Sequence, residues 1–286
     1  MIRTQRPHLR VASLTHAGRS GKNNEDRFAV ASFNEATGKP VLFAVVSDGI
    51  GGHLGGEVAA SLAVRHILEE VSGSNGIDPR QTMTGAIHAA SEVIASGSAR
   101  RADQAGMGAT CACVWVTDRS LFTAYVGDSR IYLVRDGTIQ RTTVDHTWVQ
   151  EAMERGLLRP EQARDHPNVH VLRRHLGSVE LPDVDFRLRL DSAEDDERAK
   201  LNQGTSLRPS DILLMCTDGL TDMLWDDEIL RLITTRNTLK SAAEDLVGGA
   251  NERGGHDNIT VVLLAVPGAG AVEREAKGFL RTLLGT

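Results

Sequence analysis

Acidic residues recur in this sequence at points where an apolar run meets a glycine-containing turn. Asp48 follows the apolar run of residues 41–46, which is β-branched at its three valines, and stands beside Gly49, with two further glycines before His53. Because glycine has no Cβ, its backbone carbonyl can approach a ligand closely. A fixed carboxylate, an accessible carbonyl and a nearby imidazole are the components of a hard-metal site with a proton donor. Asp-Gly also forms ordinary turns, so the segment gains weight only because the pattern recurs.

Further acids occupy equivalent positions along the chain. They are Asp128 after Gly127, Asp218 before Gly219, Asp257 after Gly255, and the pair Glu25 and Asp26 before a strand-like run. Several carboxylates without matching Cys or paired His favour magnesium or manganese over zinc or copper. Carboxylates crowded at one sheet end repel each other unless cations neutralise them. Two such ions about 3.5–4 Å apart can bridge one water and lower its pKa, producing a hydroxide that attacks phosphorus in line.

The elements that position these acids are predicted from hydrophobic periodicity. Apolar runs of strand length precede Asp48, Asp128 and Asp218, and short strands joined by brief turns over residues 109–141 favour antiparallel pairing. Residues 55–71, 80–99, 226–235 and 239–250 have helical spacing. The predicted fold class is α+β, a β-sandwich of two antiparallel sheets flanked by helices in α-β-β-α layers. Asp136-Gly137 lies between two apolar runs and predicts a simple hairpin turn.

Other segments carry weaker signals. Residues 1–10 are interpreted as a loose lead-in, residues 145–177 as a charged helical segment with a helix start at Pro160, and residues 191–200 as a solvated loop. The alternation of Phe186, Leu188 and Leu190 with charged residues predicts a half-buried strand over residues 181–190. One apolar face over residues 267–286 predicts a C-terminal helical tail that docks on the domain.

Composition excludes several classes of protein. The 286 residues are 41% hydrophobic and 24% charged, with a net charge of −6, which argues against a nucleic-acid partner. No apolar run approaches the roughly 20 residues of a membrane span, and no secretory h-region follows the basic N-terminus. Three cysteines in strand-like runs are expected to be buried thiols of a cytoplasmic protein.

From about residue 14 to residue 266 the chain resembles the metal-dependent PPM (type 2C) Ser/Thr protein phosphatases, in their bacterial single-domain form. The motifs occur in family order: NNED at residues 23–26, SDGIGGHLGGE at 47–57, GATC at 108–111, VGDSRIYLVRDG at 126–137, CTDGLTD at 216–222 and GGHDNITVV at 254–262. Each motif alone is weak, whereas the ordered set is specific. The resemblance implies a β-sandwich flanked by helices and two Mn²⁺ or Mg²⁺ ions. It also implies hydrolysis of phosphoserine and phosphothreonine by a metal-bridging hydroxide, opposing Ser/Thr kinases.

The resemblance also implies metal ligands. Asp48 would bridge both metals, and the Gly49 carbonyl would bind one of them. Asp218 and Asp257 would complete the other metal.

Four further roles follow from the same likeness. Glu25 or Asp26 would hold the second metal directly or through water. Asp128 resembles the aspartate that forms a third metal site in bacterial members. His53 matches the general acid that protonates the leaving oxygen, for which an imidazole pKa of about 6.5 is suitable; the alternative is a helix-start residue without a catalytic part. Asn258 would orient the Asp257 end of the site.

One position departs from the family pattern. The family commonly places a phosphate-binding arginine where this chain has Gly21. We hypothesise that Arg19 or Lys22 supplies the phosphate contact from a shifted loop, lysine only as a point charge. The alternative is that both are solvated and that metals alone hold the phosphate.

The resemblance also implies a domain organisation and a class of substrates, and two other functions compete with it. Residues 1–266 would form the phosphatase domain, with a flap at about residues 145–180 whose arginines either steer phosphoproteins or form a solvated face. The expected partners are phosphorylated Ser/Thr proteins, including a cognate kinase, and the chain is expected to be a monomer. The competing functions are a degenerate phosphoprotein-binding module and a hydrolase of small phosphoesters.

Overall fold

Two antiparallel sheets form the centre of the computed structural model, which describes residues 1–51, 55–100 and 102–268. The first sheet has the order β1 (Ile2–Thr4), β3 (Arg27–Asn34), β4 (Pro40–Ser47), β7 (Cys111–Thr117), β8 (Ser120–Val126) and β11 (Thr205–Ser206). The second has the order β10 (Thr138–Arg141), β9 (Arg130–Arg135), β12 (Ile212–Cys216), β13 (Ile259–Ala265) and β2 (Arg10–His16). A two-stranded pair, β5 (Gly49–Ile50) with β6 (Gly108–Ala109), extends from the end of the first sheet.

Helices cover the outer face of each sheet. The long helices α1 (Gly55–Gly73) and α2 (Pro79–Arg100) pack on the first sheet, and α5 (Asp218–Thr221), α6 (Asp226–Thr234) and α7 (Leu239–Glu252) pack on the second. Two short helices, α3 (Trp148–Glu154) and α4 (Asp196–Leu201), lie in the connection between β10 and β11. This layering confirms the predicted α-β-β-α sandwich.

The apolar strands follow from burial on both faces of each sheet. In β4, Phe43 and Val45 contact the helical layer, whereas Leu42 and Ala44 face the second sheet. A strand covered on both sides cannot alternate apolar with polar residues, so it appears in the sequence as an unbroken apolar run. The packed interior therefore holds the strand ends rigidly, and the predicted acidic residues lie at or next to those ends.

The hairpin prediction at Asp136-Gly137 is confirmed. Arg135 pairs with Thr138 across the turn, and the two central residues have φ angles of 51° and 76°. Two consecutive positive φ angles are the signature of a type I′ turn.

Four local predictions were wrong. The N-terminal residues 1–10 contain β1, which pairs with β3, and residues 191–200 contain the start of α4. Residues 145–177 are mostly irregular rather than helical; α3 lies within them, and the predicted helix start at Pro160 is confirmed by a 3₁₀ turn at Pro160–Gln162. Residues 181–190 form no strand; an isolated bridge joins Asp185 to Tyr125. The cause at this last segment is an ion-pair network, described below, that buries polar residues the alternation had assigned to solvent.

Three remaining expectations concern the cysteines, the membrane and the tail. Cys111, Cys113 and Cys216 are buried free thiols, as predicted. Among the described residues, no helix combines the length and apolar character that crossing a membrane requires. The predicted tail helix lies almost entirely outside the described residues, since it falls mainly on residues 269–286.

Candidate metal centre

The candidate site lies where one end of the first sheet meets one end of the second. Arg27 at the start of β3 pairs with Ser47 at the end of β4, so Asp26 and Asp48 are brought to the same edge. Across the gap, the Thr217 hydroxyl donates a 2.8 Å hydrogen bond to Asp26 Oδ2. Thr217 follows β12 of the second sheet, so this bond ties the two sheet ends together.

The predicted aspartates converge at this edge. Burial raises the pKa of Asp48 well above its ordinary value, and the neighbouring charges of Asp218, Asp26, Asp128 and Asp257 raise it further. Burial followed by Asp218 likewise raises the pKa of Asp128. Carboxylates this close together disfavour each other's ionised form unless a cation intervenes.

Asp26 is the most deeply buried member of the cluster, with 1% of its surface exposed. Burial raises its pKa to about 7, with Asp218 and Asp257 adding to the rise and hydrogen bonds from Thr260 and Thr217 opposing it. Its Oδ1 atom has no hydrogen-bond partner among the described residues, and the same is true of Asp218 Oδ1. Buried oxygens without donors are costly, and a hard divalent cation would satisfy both.

Glu25 and Gly49 converge on one small space at the N-terminus of α1. A Cβ atom on Gly56 would lie 2.5 Å from Glu25 Oε2 and 2.8 Å from the Gly49 carbonyl oxygen. Burial, together with Asp257, raises the pKa of Glu25, while Lys22 lowers it. The donors here are all carboxylate and carbonyl oxygens, the ligand set that Mg²⁺ and Mn²⁺ prefer. The residues therefore fit the implied metals.

Asn258 connects the loop before β3 to the start of β13. Its Oδ1 accepts from the Glu25 backbone N–H at 2.6 Å, and its Nδ2 donates to the carbonyls of Ala17 and Asn23 at 3.1 Å each. Its backbone N–H donates to Asp257 Oδ1 at 2.8 Å. Asn258 thus contacts Asp257 through the main chain and uses its side chain to hold the loop that carries Glu25.

The two candidate phosphate-binding residues lie on that same loop. Arg19 and Lys22 are both exposed, and the Arg19 backbone N–H donates to the Gly255 carbonyl at 2.7 Å. Gly21 between them has a φ angle of 76°, a conformation that favours glycine. An arginine at Gly21 would strain this loop, which explains why the usual residue type does not fit here.

Sequence reasoning missed two side chains at the cluster. His170 Nδ1 lies 3.5 Å from Asp218 Oδ2, and its Nε2 lies 3.7 Å from Asp222 Oδ2. The hydrogen bond with Asp218 and the charges of both aspartates raise the pKa of His170 to about 9, and burial followed by Asp218 raises that of Asp222 to about 6. The i, i+4 spacing of Asp218 and Asp222 could have indicated Asp222. His170 lies in an irregular segment, where no periodicity points to it.

A cavity of about 950 Å³ opens beside these residues, between the predicted flap and the α5–α6 region. Arg164 lines it and ties the two walls together, since its Nη2 donates to the Thr221 and Asp222 carbonyls at 3.1 and 2.5 Å. Its guanidinium also lies 3.7 Å from the ring centre of Trp225. Of the other flap arginines, Arg155 and Arg173 both pair with Glu151. Each of these three side chains therefore has a partner on its own chain, and the pairs of Arg155 and Arg173 lie at the exposed surface.

His53, the candidate general acid, lies outside the described residues. Its role stays a prediction.

Comparisons with known proteins agree with this geometry. The family model described as protein phosphatase 2C matches residues 15–253. A serine/threonine phosphatase, stp, of Listeria monocytogenes is 30% identical over 254 residues, covering 87% of this chain and 93% of that protein. The serine/threonine protein phosphatase PstP of Mycobacterium tuberculosis is 31% identical over 259 residues, covering 90% of this chain and 45% of that longer protein.

Solved structures show the same likeness. A serine/threonine phosphatase of S. agalactiae superposes with a TM-score of 0.78 at 30% identity, covering 90% of this chain and 99% of that one. The catalytic domain of PstP in complex with two manganese ions superposes with a TM-score of 0.73 at 29% identity, covering 90% and 97%. The chain therefore belongs to the protein phosphatase 2C family. It is a metal-dependent serine/threonine phosphatase, which confirms the function predicted from its motifs over the degenerate binding module.

Proposed function

We propose that the carboxylate cluster described above is the active centre, and that it removes phosphate from phosphoserine and phosphothreonine in proteins. The observation that carries this assignment is the convergence of five aspartates from both sheets, two of which leave a buried oxygen unpartnered among the described residues. Such an arrangement is unfavourable in the absence of cations and favourable in their presence.

The proposed metal ligands are those that the family resemblance implies, and their gathering in one cluster supports them. Asp48, the Gly49 carbonyl, Asp218 and Asp257 hold two Mn²⁺ or Mg²⁺ ions, with Glu25 or Asp26 contributing directly or through water. Asp128 together with Asp218 contributes to a third site. When bound, the ions neutralise the cluster and activate water for attack on phosphorus.

The remaining roles belong to the chain's own groups. Asn258 holds the loop of Glu25 against β13 and so keeps that carboxylate at the cluster. His53 donates a proton to the leaving serine or threonine oxygen. Arg19 or Lys22 contacts the phosphate from the exposed loop before β3.

The decisive experiment measures hydrolysis of a phosphothreonine peptide with Mn²⁺, with Mg²⁺ and with EDTA. We expect Asp48→Asn and Asp218→Asn to lower kcat by at least about a hundredfold, since each removes a charge that the ions require. Asp136→Asn is the matched control, because Asp136 is exposed in the β9–β10 turn at a positive φ angle that asparagine tolerates. Full activity of both cluster variants, or activity of the wild type in EDTA, would contradict the assignment.

Comparison of substrates separates protein dephosphorylation from small-ester hydrolysis. We expect kcat/KM for a phosphopeptide to exceed that for p-nitrophenyl phosphate. The residues that flank the phosphate in a peptide can occupy the 950 Å³ cavity beside the cluster, whereas a small ester has no such residues. Equal values would favour the small-ester reading.

Setting and organisation are part of the same proposal. Three free, buried thiols are typical of a reducing compartment, so we place the protein in the cytoplasm, where it acts on phosphoproteins and on a cognate kinase. Residues 1–266 form the phosphatase domain, with the flap at about residues 145–180 and a tail at 267–286. The chain acts as a monomer, which light scattering of the full chain would test.

A further inference from the structure

We propose that His146 is a positioning residue that holds the Gly127–Asp128 turn at the carboxylate cluster and links this turn to the base of the flap. The inference rests on the proposed function of the cluster. It assigns His146 no contact with substrate.

His146 grips Gly127 through two hydrogen bonds. The backbone N–H of Gly127 donates to His146 Nδ1 at 3.1 Å, and the backbone N–H of His146 donates to the Gly127 carbonyl at 3.0 Å. Gly127 has a φ angle of 107°, and a Cβ there would lie 2.6 Å from the Thr110 side chain. The turn is thus confined by His146 on one side and by Thr110 on the other, and Asp128 is the next residue.

The other ring nitrogen is held just as firmly. Since Nδ1 accepts from an amide, the ring carries its proton on Nε2, which donates to Asp185 Oδ2 at 3.0 Å. Arg187 holds the same oxygen of Asp185, through Nε at 2.8 Å and Nη2 at 2.6 Å. The His146 side chain is 3% exposed, and its ring stacks on Tyr125 with ring centres 5.3 Å apart.

The charge states of His146 and Asp185 support the neutral tautomer with its proton on Nε2. Burial lowers the pKa of His146, which keeps the ring neutral. Although burial opposes it, hydrogen bonds from His146 and Arg187 hold the pKa of Asp185 well below its usual range. A neutral imidazole between an amide donor and a fixed carboxylate has one orientation available, so it can transmit position rather than merely fill space.

The same residue anchors the flap. The His146 carbonyl accepts from the Arg173 backbone N–H at 2.8 Å, and the adjacent Thr147 bridges to Leu172. A displacement of the flap base would therefore pull on the residue that holds the turn of Asp128.

Two variants separate the two ring nitrogens. His146→Asn retains an acceptor near Nδ1 for the Gly127 amide but loses the reach to Asp185. His146→Gln retains a donor near Nε2 for Asp185 but has no acceptor at the δ position. His8→Gln is the matched control, because His8 is a partly buried histidine near Asp118, at the opposite end of the strands.

The first readout is hydrogen exchange of the Gly127 amide in the full chain, which does not depend on activity. We expect protection in the wild type, His8→Gln and His146→Asn, and at least about tenfold faster exchange in His146→Gln. The second readout is the Mn²⁺ concentration for half-maximal phosphopeptide hydrolysis. It should rise about tenfold in His146→Gln and at most about threefold in His146→Asn, in line with losses caused by supporting residues of metal sites.

Equal behaviour of the two variants in both readouts would overturn the proposal, whether both match the wild type or both are equally impaired. If His146→Gln does not fold, the wild type alone decides: nitrogen NMR must show a protonated Nε2, an unprotonated Nδ1 and a coupling from Nδ1 to the Gly127 amide. Absence of that coupling refutes the contact. If the wild type lacks Mn²⁺-dependent hydrolysis, the proposed function fails, while the exchange and NMR results still judge the role of His146.

Discussion

At the scale of single residues, Asn258 makes several hydrogen bonds that fix the loop before β3 beside Asp257. One side chain satisfies an amide and two carbonyls of the loop before β3, while its main chain contacts Asp257. Polar contacts that fix a loop beside a metal site act on metal affinity as well as on stability.

We therefore expect Asn258→Ala to lower the free energy of unfolding by about 1–3 kcal/mol and to raise the Mn²⁺ requirement about tenfold. The matched control is Asn202→Ala, which removes a buried amide that donates to the Leu188 carbonyl and Glu194, away from the cluster. The control should lose comparable stability in denaturant titration yet keep the wild-type Mn²⁺ dependence. A parallel shift of Mn²⁺ dependence in both variants would reduce Asn258 to a purely structural role.

The second residue-scale prediction concerns the loop cations. If Arg19 or Lys22 contacts phosphate, replacing the responsible residue by alanine should raise KM for a phosphopeptide about tenfold with little change in kcat, because the contact is made in substrate and transition state alike. Arg208→Ala is a suitable control, since Arg208 is an exposed arginine paired with Asp136 in the hairpin turn. Unchanged KM in both loop variants would favour binding by metals alone.

At the scale of elements, the start of α1 is closely constrained by the residues around it. The helix begins at Gly55, and its second residue, Gly56, leaves room for the Glu25 carboxylate and the Gly49 carbonyl. Contacts below 3.0 Å to a main-chain oxygen cannot be relieved by a side-chain rotation, so a methyl group here must move either the helix or β5.

Gly56→Ala should therefore abolish most of the Mn²⁺-dependent activity, even though alanine favours helices. Gly85→Ala offers the opposite outcome, because Gly85 in α2 is exposed and a Cβ there meets nothing within 4 Å. The latter should raise the free energy of unfolding by about 0.5–1 kcal/mol and leave activity unchanged. Activity assays and thermal melts of the pair test both outcomes; retained activity in Gly56→Ala would show that the space between Glu25 and Gly49 is dispensable.

At the scale of the whole molecule, the buried acids couple stability to pH and to metal. A carboxyl whose pKa is raised in the folded state stabilises the fold below its unfolded pKa of about 4, and loses that contribution as the pH rises through its folded pKa. For Asp26, whose pKa is raised to about 7, this stabilising contribution is lost as the pH rises from about 4 to about 7. Divalent ions would offset this loss of stability, since they neutralise the carboxylates once the protons have dissociated.

The increase in melting temperature caused by Mn²⁺ should consequently be larger at about pH 8 than at about pH 5, by several degrees. The measurement is thermal unfolding with excess Mn²⁺ and with EDTA at both pH values. Asp48→Asn should reduce the Mn²⁺ effect at the higher pH. A metal effect independent of pH would mean that the acids are not titrating against the ions.

The segment from Asp185 to Arg189 shows where local pattern fails. Its alternation is real, and Leu188 does join the core between the sheets. Yet Asp185 and Arg187 are also buried, because they pair with each other. Asp185 also pairs with His146 from a distant segment, and Arg187 pairs with Asp196 nearby in the chain. A periodicity argument assigns charged residues to solvent and cannot foresee a partner that only the fold provides.

The sequence by itself determined the sandwich, the helices α1, α2, α6 and α7, and the acids at the strand ends, because apolar runs and glycine-containing turns are local signals. The order of those motifs was enough to indicate the family and its metal-dependent chemistry. Tertiary structure alone decided that Asp26 and Thr217 meet across two sheets, that His170 approaches Asp218, and that His146 holds Gly127. These contacts join residues distant in the chain, and their energy arises from burial and mutual charge, which no stretch of sequence contains on its own.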